Sequence, residues 1–156
     1  MATAAHKPIS HFVPPVEAQT TPYVVRSLGL KFSTLIQFMS QIQKGFNWTL
    51  VSNFLKNTGF SQQELADFLE IPIRTFARRR ESGGLSQAES ERLLRLAEIF
   101  DDCLELFDND REAAHSWLFS HVRGLGNASP LSYARTEIGA REVRNLIGRL
   151  LHGVFA

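Results

Sequence analysis

The chain has 156 residues, 44% hydrophobic and 21% charged, which is enough apolar material for one ordinary domain or two small ones. Its formal net charge of +1 excludes a uniformly basic surface, so any polyanion site must be local. The single cysteine, Cys103, excludes an internal disulfide framework, and no apolar run reaches the roughly 18 residues of a membrane span. The first residues lack the basic start and apolar stretch of a signal peptide, so a cytoplasmic protein is expected.

Residues 1–22 hold Pro8, Pro14, Pro15 and Pro22 among Ala, Thr and His, with no visible period. A mobile arm is expected there, because too little apolar surface is available to offset the entropy of ordering. Helical patterns fill the remainder, and no strand pattern competes. The first helix is expected from Ser33 to Gly45, with Leu35, Ile36, Phe38, Met39 and Ile42 on one side. Asn47 can cap the next, which carries Trp48, Val51, Phe54 and Leu55 and stops at Gly59. Ser61 caps a helix over Gln62 to Leu69, with Glu64 completing a capping box. After a break at Glu70 to Pro72 comes Ile73 to Arg80, closed by Gly83 and Gly84.

Ser86 and Glu89 form a second capping box. Leu93, Ala97, Phe100, Leu104 and Phe107 continue as an inward stripe. Asn109 with Glu112 is expected to start a helix holding Ala113, Ala114, Trp117 and Leu118. A Gly- and Asn-bearing loop spans Val122 to Ser129, and Ser129-Pro130 opens a short helix. A last helix is expected from Gly139 to Leu151, with Val143, Leu146, Ile147 and Leu150 inward.

A capped helix, a short break and an arginine-rich helix read as a helix-turn-helix. On a wheel of about 100° per residue, Ile73, Phe76 and Ala77 cluster inward and Arg74, Thr75, Arg78 and Arg79 spread outward. Guanidinium groups there can bind guanine bidentately or hold phosphates. Arg80 falls on the inward side, so its stem is expected to pack on the scaffold. Gln62 and Gln63, at the start of the preceding helix, are further candidates for phosphate contact. The alternative is an ordinary solvated basic face.

No enzyme chemistry is expected. His115 and His121 lie six apart, off a common face, without a Cys or carboxylate to complete a metal set. The acidic pairs around Asp101 and Asp108 lack the alternating ligands of a calcium loop. Gly124-Leu125-Gly126-Asn127 follows a helix rather than a strand, which argues against a phosphate cradle. No catalytic residue, metal, cofactor or small-molecule substrate is assigned. The tail after Gly153, Val154-Phe155-Ala156, either folds back on the core or enters a partner's pocket.

Several segments together resemble the Xre/MbcA/ParS antitoxins. They are Arg74 to Arg80, Leu85-Ser86, Ser90 to Leu96, Trp117-Leu118, Leu125-Gly126 with Pro130-Leu131, Thr136-Glu137 with Gly139-Ala140, and Val143 to Ala156. The likeness runs in order from about Leu50 to Ala156. It implies an all-α protein, an Xre-like helix-turn-helix domain followed by a small helical toxin-binding domain. The corresponding division is an arm over 1–22, a DNA-binding and dimerisation domain over 23–84, and a toxin-binding domain over 85–156. The resemblance implies a type II toxin–antitoxin pair whose partner is a RES-domain toxin that consumes NAD. By position, Gly153, Val154, Phe155 and Ala156 match the inhibitory tail, and Arg149 and His152 the helix end that supports it. It further implies repression of the pair's own operator DNA. Asn127 departs from a usual second Gly, and Ser120-His121-Val122 from a usual Pro-Asn. Phe155 is an accepted variant of a Tyr. A stand-alone regulator and a dimerising module without DNA binding remain the alternatives. A homodimer is expected, through Phe38, Met39, Phe46 and Trp48 of the first helices.

Overall fold

The computed structural model describes residues 23–153. Its elements are β1 (Tyr23–Val25), β2 (Leu30–Phe32), α1 (Leu35–Lys44), α2 (Trp48–Thr58), α3 (Gln62–Phe68), α4 (Ile73–Ser82), α5 (Gln87–Leu106), α6 (Arg111–Phe119), α7 (Pro130–Tyr133) and α8 (Glu137–His152). A 3-10 turn at Arg123–Leu125 lies between α6 and α7. The expected all-α class holds, with one small addition.

That addition is the antiparallel hairpin of β1 and β2, which pairs Tyr23 with Phe32 and Val25 with Leu30. Two strands of three residues are not stable alone. The hairpin persists because α5 holds its turn. The Asp101 carboxylate accepts from the backbone N–H of Arg26 at 2.7 Å and of Ser27 at 3.0 Å. Ser27 Oγ donates to the Ala97 carbonyl. These partners lie 70 or more residues away in sequence, beyond the reach of a local pattern.

Most helix boundaries follow local chemistry. Ser61 and Ser86 make complete capping boxes with Glu64 and Glu89. Ser129 caps α7 with Pro130 in the first turn. Three starts differ from the sequence reading. Thr34 rather than Ser33 caps α1, Asp110 rather than Asn109 caps α6, and Thr136 starts α8 before Gly139. Asn109 instead takes a left-handed backbone with φ +66°, as does Asp108 at +51°.

The core is built around α5. Leu93, Leu96, Ala97, Ile99, Phe100 and Cys103 are fully buried along it. Phe54 and Phe60 pack on Phe100 with ring centroids 6.4 Å and 6.2 Å away. Burial pushes the Cys103 thiol well above the usual range, which makes it unreactive. On α1 only Phe38 and Ile42 are buried; Leu35, Ile36 and Met39 are exposed. The apolar stripe of α1 is therefore wider than the core it faces.

The first turn of α5 joins α4 to the α1–α2 corner. Ser90 Oγ accepts from the Phe46 N–H and donates to the Ser86 carbonyl, both at 2.7 Å. Here the backbones of Gly45-Phe46 and Gly84-Leu85 touch. A Cβ on Gly45 would sit 2.1 Å from the Leu85 oxygen, so only glycine fits. One residue before Ser90, the buried Glu89 carboxylate accepts from Arg79 Nη2 at 2.9 Å and Nε at 3.0 Å. It also closes its own capping box through the Ser86 N–H. Burial by itself would raise the Glu89 carboxyl. The bonds from Arg79 and Ser86 outweigh it and hold the group below the usual glutamate range.

A carboxyl depressed on folding adds stability above its unfolded value and loses it as the pH falls through the folded one. Wild-type stability in urea should therefore show a Glu89 contribution at neutral pH that declines once the pH falls below the ordinary glutamate value of about 4.3. Glu89→Gln should cost about 1.5–3 kcal/mol at neutral pH and flatten the acid slope relative to wild type. Equal acid slopes in the two proteins would show that the Arg79 pair does not stabilise the fold.

Candidate functional site

The helix-turn-helix begins with α3 and closes on a left-handed glutamate. Glu70 has φ +58°, its N–H bonds the Asp67 carbonyl, and the Ile71 N–H bonds the Ala66 carbonyl, both at 3.1 Å. This is the two-bond helix ending that glycine ordinarily serves. Arg92 of α5 braces it from outside. Its Nη1 donates to the Leu69 carbonyl at 2.8 Å, and its Nη2 lies 3.7 Å from the Glu70 carboxylate. The break itself is legible in the sequence; its brace, twenty-two residues beyond Glu70, is not.

The seating of α4 corrects the sequence reading. Phe76 is buried, edge-on to Trp48 with centroids 5.0 Å apart. Ile73 and Ala77, expected inward, are exposed. The inward line passes between Phe76 and Arg79 instead. Arg79, expected on the reading face, is the scaffold arginine bound to Glu89. Arg80, expected on the scaffold, is exposed. The reason is electrostatic: a buried carboxylate demands a cation, and Arg79 lies on the flank that faces it. The only sequence signal was Glu89 itself, a capping-box acid beside an apolar stripe.

The outward surface of α4 thus presents Ile73, Arg74, Ala77, Arg78 and Arg80, with Thr75 half-buried at its edge. Gln62 and Gln63 are exposed at the start of α3, where Gln63 Nε2 donates to Asp67 at 2.8 Å. Guanidinium groups beside small apolar side chains suit a groove that offers guanine acceptors and thymine methyls.

The second half meets the first through α5 and through His115. His115 of α6 packs edge-to-face with Phe60 and beside Phe119, and its Nε2 lies 3.4 Å from the Glu64 carboxylate. Burial would raise Glu64, but bonds from Ser61 and His115 bring it below the usual range. The loop after α6 turns through Gly126 and Asn127, with φ of +63° and +66°. Asn127 therefore holds the left-handed position that glycine would otherwise take. Helix α8 is tied to α5 by Arg95–Glu137 and by Arg144 with Asp102 and Glu98. These pairs line a groove of about 990 Å³ between α1, α5 and α8.

Arg149 and His152 are exposed at the end of α8, and Gly153 caps it with φ +64°. Val154, Phe155 and Ala156 lie outside the described residues, as does the arm over 1–22. Phe38 and Phe46, expected at a dimer surface, are interior, and Trp48 is half-buried. Met39 remains exposed, beside Leu35 and Ile36. Among the described residues, no cluster of His, Cys, Asp and Glu is placed to hold a metal. No described helix is long and apolar enough to cross a membrane.

Comparison with known proteins agrees with this architecture. Residues 37–98 match the family model for the antitoxin Xre-like helix-turn-helix domain. Residues 103–153 match that for the antitoxin Xre/MbcA/ParS C-terminal toxin-binding domain. An antitoxin Xre of Yersinia enterocolitica is 35% identical over 143 residues, covering 91% of this chain and 97% of the relative. An antitoxin Xre of Photorhabdus laumondii is 32% identical over 144 residues, covering 92% and 97%. With a braced helix-turn-helix and a helical second half that match in this order, the chain belongs to the Xre/MbcA/ParS antitoxin family.

Proposed function

We propose that this antitoxin neutralises a RES-domain, NAD-consuming toxin and, through its helix-turn-helix, binds operator DNA to repress its own transcription. The observation that carries the DNA half is the outward face of α4, where Arg74, Arg78 and Arg80 stand clear of the core. Arg74 and Arg78 read base edges, and Arg80 holds phosphate. Arg79 positions the helix through Glu89 rather than touching DNA. Gln62 and Gln63 contact the backbone at the start of α3.

The toxin half rests on the matched toxin-binding domain and on the exposed end of α8. Residues 153–156 enter the toxin's active site and exclude its substrate, with Arg149 and His152 supporting their approach. The antitoxin does no chemistry and carries no cofactor in this reading. Both partners, toxin and operator, place it in the cytoplasm. A homodimer forms through the exposed α1 residues Leu35, Ile36 and Met39, in place of the buried Phe38 and Phe46.

Arg74→Ala and Arg78→Ala should each weaken operator binding by about 1–3 kcal/mol, roughly 5- to 150-fold, in a mobility or fluorescence titration. Arg80→Ala should weaken all sequences alike and lower the salt slope by about one. Binding that ignores all three changes would argue for a module that has lost DNA contact.

Truncation after Gly153 should spare folding and operator binding, yet a RES-domain toxin expressed with it should again arrest growth. Full protection by the truncated chain would rule out the plug. Wild-type chain that binds operator but no RES-domain toxin would point to a stand-alone regulator.

Ile36→Asp should shift the protein from dimer to monomer in sedimentation velocity while leaving its helical signal intact. An unchanged sedimentation coefficient would place the dimer contact elsewhere.

A further inference from the structure

We propose that the outward seam of α8 is where the toxin's backbone docks, and that Gly148 sets how closely it approaches. This rests on the toxin-binding reading above and adds the docking surface and its point of nearest contact. Ile138, Arg141, Asn145, Gly148 and His152 are spaced alternately by three and four residues. At about 100° per residue they share one side of the helix. Ile138 is 68% exposed, and Arg141, Asn145 and His152 are exposed with it. The opposite side, Gly139, Ala140, Val143, Leu146 and Ile147, is buried.

The two glycines inside α8 have different reasons to be glycine. A Cβ on Gly139 would lie 1.9 Å from the Tyr133 carbonyl oxygen, so the fold itself requires glycine there. A Cβ on Gly148 would meet nothing within 4 Å, and its backbone takes no positive φ. Glycine in a helix interior is less stable than alanine, and nothing within the described structure repays that loss. Close approach of an external backbone does.

The occupant follows from where the seam leads. It lies inside the toxin-binding domain and runs through His152 to Gly153, where residues 154–156 begin. A toxin whose active site takes those residues must lie against this end of α8. Arg141 on the seam and Arg149 beside its far end supply positive charge, which suits an acidic toxin surface. Arg141 and Asn145 also form one wall of the groove beside α1, so a toxin side chain seated on the seam can reach into it.

The experiment compares full-length wild type, Gly148→Ala, Gly148→Leu and the chain truncated after Gly153, each titrated against a catalytically inactive RES-domain toxin. Gly148→Ala should raise the thermal midpoint by a few degrees, yet weaken toxin binding about tenfold. Gly148→Leu should bind toxin still more weakly while binding operator like wild type. The truncated chain should keep most toxin affinity, because the seam still docks. Wild-type affinity in Gly148→Leu, or loss of all affinity on truncation alone, would overturn the seam. A wild-type chain that binds no toxin would instead overturn the reading on which the seam rests.

Discussion

The buried first turn of α5 is the constraint on which the other elements depend. Three consecutive polar demands are met there. Ser86 and Glu89 close the helix start, Glu89 takes the Arg79 guanidinium, and Ser90 pairs the Phe46 N–H. A carboxylate as buried as Glu89 is costly without a cation and full hydrogen bonding. The arrangement therefore admits one placement of α4. Hydrophobic packing alone would leave that helix loosely specified, since Phe76 is its one buried residue.

The same helix serves both halves. From successive turns, Arg92 braces the helix-turn-helix and Arg95 reaches α8. Asp101 then holds the hairpin, and Asp102 pairs with Arg144 of α8. A twenty-residue element with a fully buried stripe transmits position well, because its packed side chains have little room to shift. His115 adds a lateral tie to the start of α3. The surface proposed for DNA and that proposed for the toxin are thus held by one scaffold rather than by a linker.

Much of the candidate site was legible. The spacing puts Arg74 and Arg78 outward, where both are exposed, because an amphipathic helix limits which sides can be wet. The exchange of roles between Arg79 and Arg80 was not legible. The wheel centres on the apolar residues Ile73, Phe76 and Ala77, whereas the structure keeps only Phe76 inward and turns the helix toward the Arg79–Glu89 salt bridge. In the same way, Leu35, Ile36 and Met39 share the apolar side of α1 with Phe38 and Ile42, yet only the last two are buried. Apolar spacing marks a face that avoids water, not whether the chain's own core or another molecule covers it.

The sequence by itself determined the helices, most of their caps and the left-handed glycine stops. These depend on bonds within three or four residues: Ser61 with Glu64, Ser86 with Glu89, Ser129 with Ser132, and Gly59, Gly83 and Gly153 at helix ends. The tertiary structure alone decided the hairpin, the rotation of α4 and the brace on its turn. Each of those rests on a buried or charged partner between ten and about seventy-five residues away, Glu89, Arg92 or Asp101. A partner at that distance is selected by burial and charge in the folded core, and neither is encoded in any local spacing.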